Sequence, residues 1–159
     1  MNSGAWAMHK LAALFSIVAL LILPIRVDES LPIQVRKTIQ EITTDCDNLP
    51  IFKKGFIKRK DVNGDGIKDY ILDYGFFSCG EGGPSYCGTG GCMTSVIVST
   101  EDGDFKEVFR DTVRGMSFKT IKGQPAMTID LHGSACGRQG TEACVETLYW
   151  NGFRFTPAH

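Results

Sequence analysis

The sequence lacks several features that define large classes of protein. Its net charge is only -1, and its Lys and Arg residues are scattered, so it has no basic patch of the kind that binds nucleic acid. No G-K-[ST] motif follows the glycine-rich segment at 81–92, which disfavours a phosphate-binding loop. No cysteine precedes Cys46, so we expect no lipid-modified cysteine near the N-terminus. Because the chain has no basic patch, nucleic-acid binding is set aside.

One long apolar run is present, LAALFSIVALLILPI at 11–25, and it follows a basic end at His9 and Lys10. The run is shorter than the roughly 20 residues of a membrane-spanning helix, and a basic end followed by an apolar stretch is typical of a secretory signal. No A-x-A-like cleavage site follows, so an anchor through 11–25 stays an alternative. We predict a signal peptide or N-terminal anchor at 1–28 and one periplasmic or secreted domain at 29–159.

The number and the position of the cysteines also indicate an exported protein. There are six, and all of them follow the apolar run: Cys46, Cys79, Cys87, Cys92, Cys136 and Cys144. An even number in a small exported chain predicts a disulfide framework. Zinc is the alternative, but the short pairs miss the C-x2-C spacing of structural zinc sites, and only His132 lies close by. We therefore predict disulfides.

A weak internal repeat suggests how the cysteines pair. YILDYGFFSCG at 70–80 is similar to MTIDLHGSACG at 127–137, and a cysteine followed by a strand pattern comes after each. If the repeat is real, Cys79 pairs with Cys92 and Cys136 with Cys144. Cys46 then links the helix to Cys87. Six cysteines permit about fifteen pairings, so this one is a hypothesis.

The rest of the domain reads as one short helix followed by strands. Pro32 and the apolar Val35, Ile39 and Ile42 predict a short amphipathic helix. Strand patterns follow at 51–59, 69–77, 93–100, 105–111, 113–121, 125–132, 145–150 and 153–157. Asn151-Gly152 predicts a hairpin with a two-residue turn, whose aromatic residues belong to the core. We predict a mainly β fold, an antiparallel meander of one or two propeller-blade-like units behind one N-terminal helix and stabilised by disulfides.

The segment DVNGDGIKDYILD at 61–73 concentrates oxygen ligands ahead of a strand. Calcium takes six to eight oxygens, and alternate positions of a tightly coiled loop can all point inward. The candidate ligands are the side chains of Asp61, Asn63, Asp65 and Asp69 and the backbone carbonyl of Ile67, whose own side chain is left free to enter the core. The alternative is a plain polar turn, but three aspartates held together without a cation would repel.

The order of residues decides between types of calcium loop. An EF-hand needs a bidentate glutamate at position twelve, where this sequence has Leu72 followed by a strand pattern. The segment instead resembles the D-x-[DN]-x-D-G-x-x-D loop of FG-GAP and VCBS repeats, the integrin-type propeller loops. That resemblance implies Ca2+ held by Asp61, Asn63, Asp65, Ile67 and Asp69. It covers about thirty residues and occurs once, so a complete propeller is not expected.

A second resemblance is to small exported bacterial proteins that carry C-G-T-G-G-C and L-H-G-S-A-C-G segments, as at 87–92 and 131–137. It implies an exported location and no activity. The glycine-rich loop at 81–92 is expected to be exposed, with Tyr86 as a candidate partner contact.

Two functions follow from these patterns. We favour a non-catalytic calcium-binding module that presents its cysteine-closed loops to a protein or cell-envelope partner, as an inhibitor or immunity-type protein would. The alternative is a small hydrolase of envelope polymers. The only acid and base groups that the sequence offers it are Asp130 with His132, or Glu81 with Glu142, and none lies in a recognisable catalytic motif.

Overall fold

The computed structural model describes residues 28–158, in which there are one α-helix, two short 3₁₀ turns and eleven strands. The predicted signal or anchor at 1–28 lies outside these residues except for Asp28. In the described part, no helix combines the length and the apolar character needed to cross a membrane. The elements are α1 (Ile33–Thr44), β1 (Pro50–Phe52), β2 (Ile57–Lys60), β3 (Asp69–Asp73), β4 (Phe77–Cys79), β5 (Cys87–Gly88), β6 (Gly91–Ser99), β7 (Phe105–Val113), β8 (Gly115–Ile121), β9 (Gln124–Leu131), β10 (Cys144–Trp150) and β11 (Phe155–Pro157).

The strands form two main sheets and one small one, and every pairing is antiparallel. The first sheet runs β2-β3-β6-β5, and β7 also pairs with β6. In the second sheet the last four strands are neighbours in chain order, β8 to β11, which is a meander. The small sheet pairs β1 with β4. The predicted mainly β, antiparallel fold with one preceding helix is confirmed.

The first sheet lies between α1 and the second sheet, because its central strands are apolar on both faces. Along β3 the side chains alternate, so that Leu72 packs towards the helix and Ile71 towards the second sheet. The predicted helix face of Val35, Ile39 and Ile42 is buried against the first sheet. A separate cluster between the two sheets comprises Val62, Ile71, Val96, Val98, Val113, Met127, Ile129, Leu148 and Phe155.

Two predicted strands are each interrupted. The segment 51–59 divides into β1 and β2, separated by a turn in which the Phe56 N–H donates to the Lys53 carbonyl. The segment 69–77 divides at Asp73, whose carboxylate accepts a hydrogen bond from the Gly75 N–H at 3.1 Å. This local bond begins a 3₁₀ turn at Tyr74–Phe76, because an aspartate side chain can replace a strand partner for the backbone.

The predicted hairpin is present, but its turn is longer than predicted. Trp150 pairs with Phe155, which leaves the four residues 151–154 in the loop. The Asn151 side chain closes this loop by accepting hydrogen bonds from the N–H groups of Phe153 and Arg154. As a result Phe153 is 76% exposed, and the prediction that it belongs to the core is wrong.

All six cysteines form disulfides, but two of the three predicted pairings are wrong. The bonds are Cys46–Cys79, Cys87–Cys92 and Cys136–Cys144. Cys87 and Cys92 pair with each other because they lie opposite one another in the β5–β6 ladder. Cys79, at the end of β4, lies beside the chain that leaves α1 and therefore bonds to Cys46. The weak repeat predicted only Cys136–Cys144 correctly.

We predict that the disulfide joining the helix to the sheet stabilises the fold more than the hairpin disulfide does. Cys46–Cys79 closes a sequence separation of 33, and Cys87–Cys92 closes one of 5. Loop-closure entropy then gives losses of about 4 kcal/mol for Cys46→Ala with Cys79→Ala and about 2 kcal/mol for Cys87→Ala with Cys92→Ala. Urea unfolding of the two double variants measures both losses, and the opposite order would contradict this ranking.

Candidate functional site

The acidic loop connects two paired strands, as its sequence predicts. β2 and β3 are adjacent, with Lys60 opposite Asp69, and the residues between them form the loop. Val62 anchors it, because this side chain is only 3% exposed and lies in the cluster between the sheets. Ile67 is 47% exposed, so its side chain does not enter the core. Val62 supplies the apolar anchor instead.

The first half of the loop coils around the Asp61 carboxylate. Its two oxygens accept hydrogen bonds from the N–H groups of Gly64 at 2.7 Å and Gly66 at 2.9 Å. Both glycines have φ of +85°, a conformation that side chains with a Cβ adopt rarely. The two glycines therefore allow the loop to turn the amides of residues 64 and 66 towards one acidic side chain.

The second half turns around Asp65 in the same way. One oxygen of this carboxylate accepts from the Ile67 N–H at 2.7 Å, and the other from the Asn63 amide at 2.9 Å. The Asn63 oxygen accepts from the Asp65 N–H at 3.1 Å. Three of the four predicted side-chain ligands thus lie on the exposed or half-buried rim of the loop. Their oxygens keep further lone pairs beyond those that these bonds use.

Asp69 differs from the other three because it is completely buried. One carboxylate oxygen accepts from the Val62 N–H at 2.8 Å, and the other accepts from the Ser99 N–H at 2.9 Å. Val62 belongs to the loop, whereas Ser99 is the last residue of β6. The Asp69 side chain consequently ties the start of the loop to the neighbouring strand.

The Ser99 hydroxyl brings two of the carboxylates together. Its oxygen lies 2.5 Å from an Asp65 oxygen and 3.0 Å from an Asp69 oxygen, although a hydroxyl has one proton to donate. Within the part of the chain that the structure describes, the ion pairs are Lys58–Asp73, Arg110–Glu41 and Arg110–Glu107, and none involves the loop. The negative charge of the loop is therefore not balanced by a basic side chain there.

The pKa values of the two carboxyl groups shift in opposite directions. Burial raises the pKa of Asp69 above its ordinary value, against the N–H donors of Val62 and Ser99, and the charge of Asp65 adds to the increase. At Asp65, burial also acts to raise the pKa, but hydrogen bonds from Ser99, Asn63 and the Ile67 N–H outweigh it and lower the pKa. A cation near both groups would stabilise the ionised form of each.

The residues fit a calcium ion in the chemistry of their oxygens. Carboxylate, amide and backbone carbonyl oxygens are the ligands that Ca2+ prefers. Across residues 28–158, however, no three Asp, Glu, His or Cys side chains are gathered so that they alone could hold a metal. A cation would therefore depend on the Asn63 amide and the Ile67 carbonyl as well as on the aspartates.

Tyr86 has an internal role. Its ring packs edge-on against the Tyr74 ring and at a tilt against the Phe77 ring. Its hydroxyl donates to the Ile42 carbonyl at 3.2 Å. Burial raises the pKa of Tyr86, and the charge of Asp45 acts in the same direction. These contacts join the loop at 81–92 to the end of α1 and leave Tyr86 partly exposed, so its role as a partner contact stays a prediction.

The acid and base groups considered for a hydrolase are not joined into a relay. β9 ends at Leu131, and the chain then enters a 3₁₀ turn, so the predicted strand through His132 is one residue too long. The turn places the His132 Nδ1 2.8 Å from the Ser134 hydroxyl and near the Ser134 N–H. His132 therefore caps this turn, and no hydrogen bond to it from Asp130 is present. Glu81 and Glu142 are both exposed.

Comparison of the chain with protein-family models, with curated proteins and with solved structures found no match. A function therefore has to be argued from the geometry and chemistry of the sites themselves.

The sequence patterns did not reveal two residues that hold the acidic loop in place, Val62 within it and Ser99 at the end of β6. Val62 carries a local signal, because an apolar residue between two polar ligand positions is typical of an anchor. Ser99 carries none, since it lies thirty residues beyond Asp69 and reaches the loop only through the pairing of β3 with β6. Only the register of that pairing brings the hydroxyl to the two carboxylates.

We predict that Asp69→Ala destabilises the domain even without calcium. The change leaves the buried N–H groups of Val62 and Ser99 without their acceptor, so we expect a loss of about 2–4 kcal/mol in the free energy of unfolding. Asp104→Ala is the matched control, because Asp104 is exposed, and it should cost within about 0.5 kcal/mol. Urea unfolding in the presence of chelator measures both, and equal effects would show that Asp69 is not a structural link.

Proposed function

We propose that the acidic loop binds Ca2+ and that the domain is an exported, disulfide-stabilised binding module. The ligands in this proposal are Asp61, Asn63, Asp65, the Ile67 carbonyl and Asp69, as the resemblance to FG-GAP and VCBS loops implies. The observation that carries the proposal is the position of the Ser99 hydroxyl, which lies within hydrogen-bond distance of carboxylate oxygens of both Asp65 and Asp69. Because this hydroxyl has a single proton, it can donate to only one of the two carboxylates at a time. A divalent cation would offset the repulsion between these groups.

The role proposed for calcium is structural. The loop joins β2 to β3, and Asp69 connects it to β6, so a cation held there would restrain three neighbouring strands of the first sheet. Asp61 and Asp65 would contribute charge from the rim of the loop, whereas Asp69 already holds its place through buried hydrogen bonds. Calcium would thus stabilise an existing fold.

The proposed location follows from the disulfides. Three disulfides in a small domain are typical of a protein that folds in an oxidising compartment. Together with the charged and apolar pattern of 1–28, this supports a periplasmic or secreted module, with a membrane anchor at 11–25 as the alternative. The proposed partner is a protein or another component of the cell envelope, and an inhibitor or immunity-like role is one form of this function.

Fewer observations support the alternative function, a small hydrolase of envelope polymers. The Ser134 hydroxyl lies within hydrogen-bond reach of His132, which is one element of a nucleophile and base pair. Both groups belong to one turn, and no third group orients the imidazole from the other side in the part of the chain that is described. We therefore favour the binding module.

We predict that calcium raises the thermal stability of the domain and that Asp65→Ala removes the effect. Extracellular calcium modules have Kd values of about 10⁻⁴ to 10⁻³ M, so about 10 mM Ca2+ should stabilise the folded state by about 1.4–2.7 kcal/mol. Magnesium should have a smaller effect, because it requires closer and more regular octahedral coordination. Thermal melts with Ca2+, Mg2+ or chelator give the measurement.

The control for this experiment is again Asp104→Ala, which should retain the full calcium shift. Asp65 is the better test position than Asp69, because its side chain is exposed and its removal leaves the buried links of Asp69 to Val62 and Ser99 intact. An unchanged melt of the parent protein in Ca2+, or an undiminished shift in Asp65→Ala, would refute the calcium site.

A further inference from the structure

A groove lies between the first sheet and the edge of the second. Its volume is about 550 Å³, and its lining comes from β2, β3, β6 and the segment 113–118 that leads from β7 into β8. Ile71 and Thr94 line it from the first sheet, and Met116 and Phe118 line it from β8, which forms one wall. Neither the acidic loop nor the loop at 132–144 contributes to it.

The charge of the groove is opposite to that of the whole chain. Three basic side chains line it, Lys58, Lys60 and Arg114, against the single carboxylate of Asp73. Lys58 is paired with that carboxylate at 2.9 Å. Lys60 and Arg114 have no acidic partner within residues 28–158, in a protein whose net charge is -1. A ligand with negative charge would complement these two cations.

The wall formed by β8 has an unpaired edge. In the described residues, β8 pairs with β9 alone and stands last in its sheet. Lys60 donates to the Phe118 carbonyl at 3.1 Å and also lies 5.8 Å from the centroid of the Phe118 ring. This carbonyl therefore points away from β9, which shows that the open edge of β8 faces β2 across the groove. An open edge of seven residues is a template for another strand.

The Lys60 and Arg114 side chains already donate to backbone carbonyls of the protein. Arg114 donates to the carbonyls of Thr89 and Gly140, which fixes its position at one end of the wall. Lys60 holds a single carbonyl of β8 and leaves the rest of that edge without a protein partner. Each cation can also donate a hydrogen bond to a carboxylate, because an ammonium and a guanidinium group have several N–H donors.

We propose that this groove binds an acidic, extended peptide segment of a partner protein, which adds as a strand to the open edge of β8. Main-chain hydrogen bonds to β8 would supply affinity, and carboxylates near Lys60 and Arg114 would select the acidic sequence. The proposal rests on the function as a binding module and names its class of partner. It does not depend on the calcium loop, whose residues lie outside the groove.

The test uses the whole domain and a labelled, end-blocked peptide of seven residues with alternating glutamate and valine, which matches the length of β8. Fluorescence anisotropy should show saturable binding that weakens as salt is added. A peptide in which lysine replaces glutamate should bind at least about tenfold more weakly, because the like charges repel. The acidic peptide with alternate backbone N-methyl groups should also bind at least about tenfold more weakly, because it cannot pair with β8.

Lys60→Glu is the variant that tests the groove, and Lys106→Glu is the matched control, since Lys106 is exposed on β7 and does not line the groove. We expect about three- to tenfold weaker binding for the first and less than about twofold for the second. Thermal melts verify that both variants fold. The two modified peptides, tested on the unaltered protein, keep the proposal open to refutation if Lys60→Glu does not fold.

Any of these peptide or variant results would overturn the proposal: no binding of the acidic peptide, equal binding of the lysine peptide, equal binding of the N-methylated peptide, or equal losses in the two variants. Inorganic phosphate that competes as well as unlabelled peptide would also overturn it, by showing a simple anion site. Repeating the titration in Ca2+ and in chelator separates the two proposals. Peptide binding without a calcium effect on the melt refutes only the metal site, and the reverse result refutes only the groove.

Discussion

The buried carboxylate of Asp69 is the contact through which the acidic loop is attached to the rest of the fold. It accepts N–H groups from the start of the loop and from the end of β6, and it has no exposure to solvent. An acidic group is costly to bury unless hydrogen bonds or a cation stabilise its charge. The raised pKa of Asp69 reflects that cost, and a calcium ion at the adjoining oxygens would reduce it.

The other stabilising elements act at a distance from this loop. Cys46–Cys79 joins the chain that leaves α1 to β4 of the small sheet, and the Tyr86 hydroxyl donates to the Ile42 carbonyl of α1. The apolar cluster around Met127 joins the second sheet to the face of the first sheet opposite α1. The groove beside β8 lies where the two sheets diverge, and disulfide Cys87–Cys92 lies at its margin. The disulfides restrain the scaffold, and the proposed calcium ion and peptide partner would bind at two separate places on it.

Local patterns predicted the elements better than the contacts between them. The helix face of Val35, the β10–β11 hairpin and the position of the acidic loop between two strands all follow from short-range periodicity and turn chemistry. The pairing of Cys87 with Cys92, the approach of Ser99 to Asp65 and the internal position of Tyr86 depend on strand register and on packing. The same is true of the groove, because residues from five strands meet there only after the two sheets have packed.

We propose that a cation at the acidic loop restrains the strands that Asp69 connects. Amide hydrogen exchange in calcium and in chelator is the sharpest test of this restraint, because it reports each N–H separately. We expect calcium to slow exchange at the amides of Gly64 and Gly66, which bond to Asp61, and at those of Val62 and Ser99, which bond to Asp69. Identical exchange at these four amides with and without calcium would show that no such restraint exists.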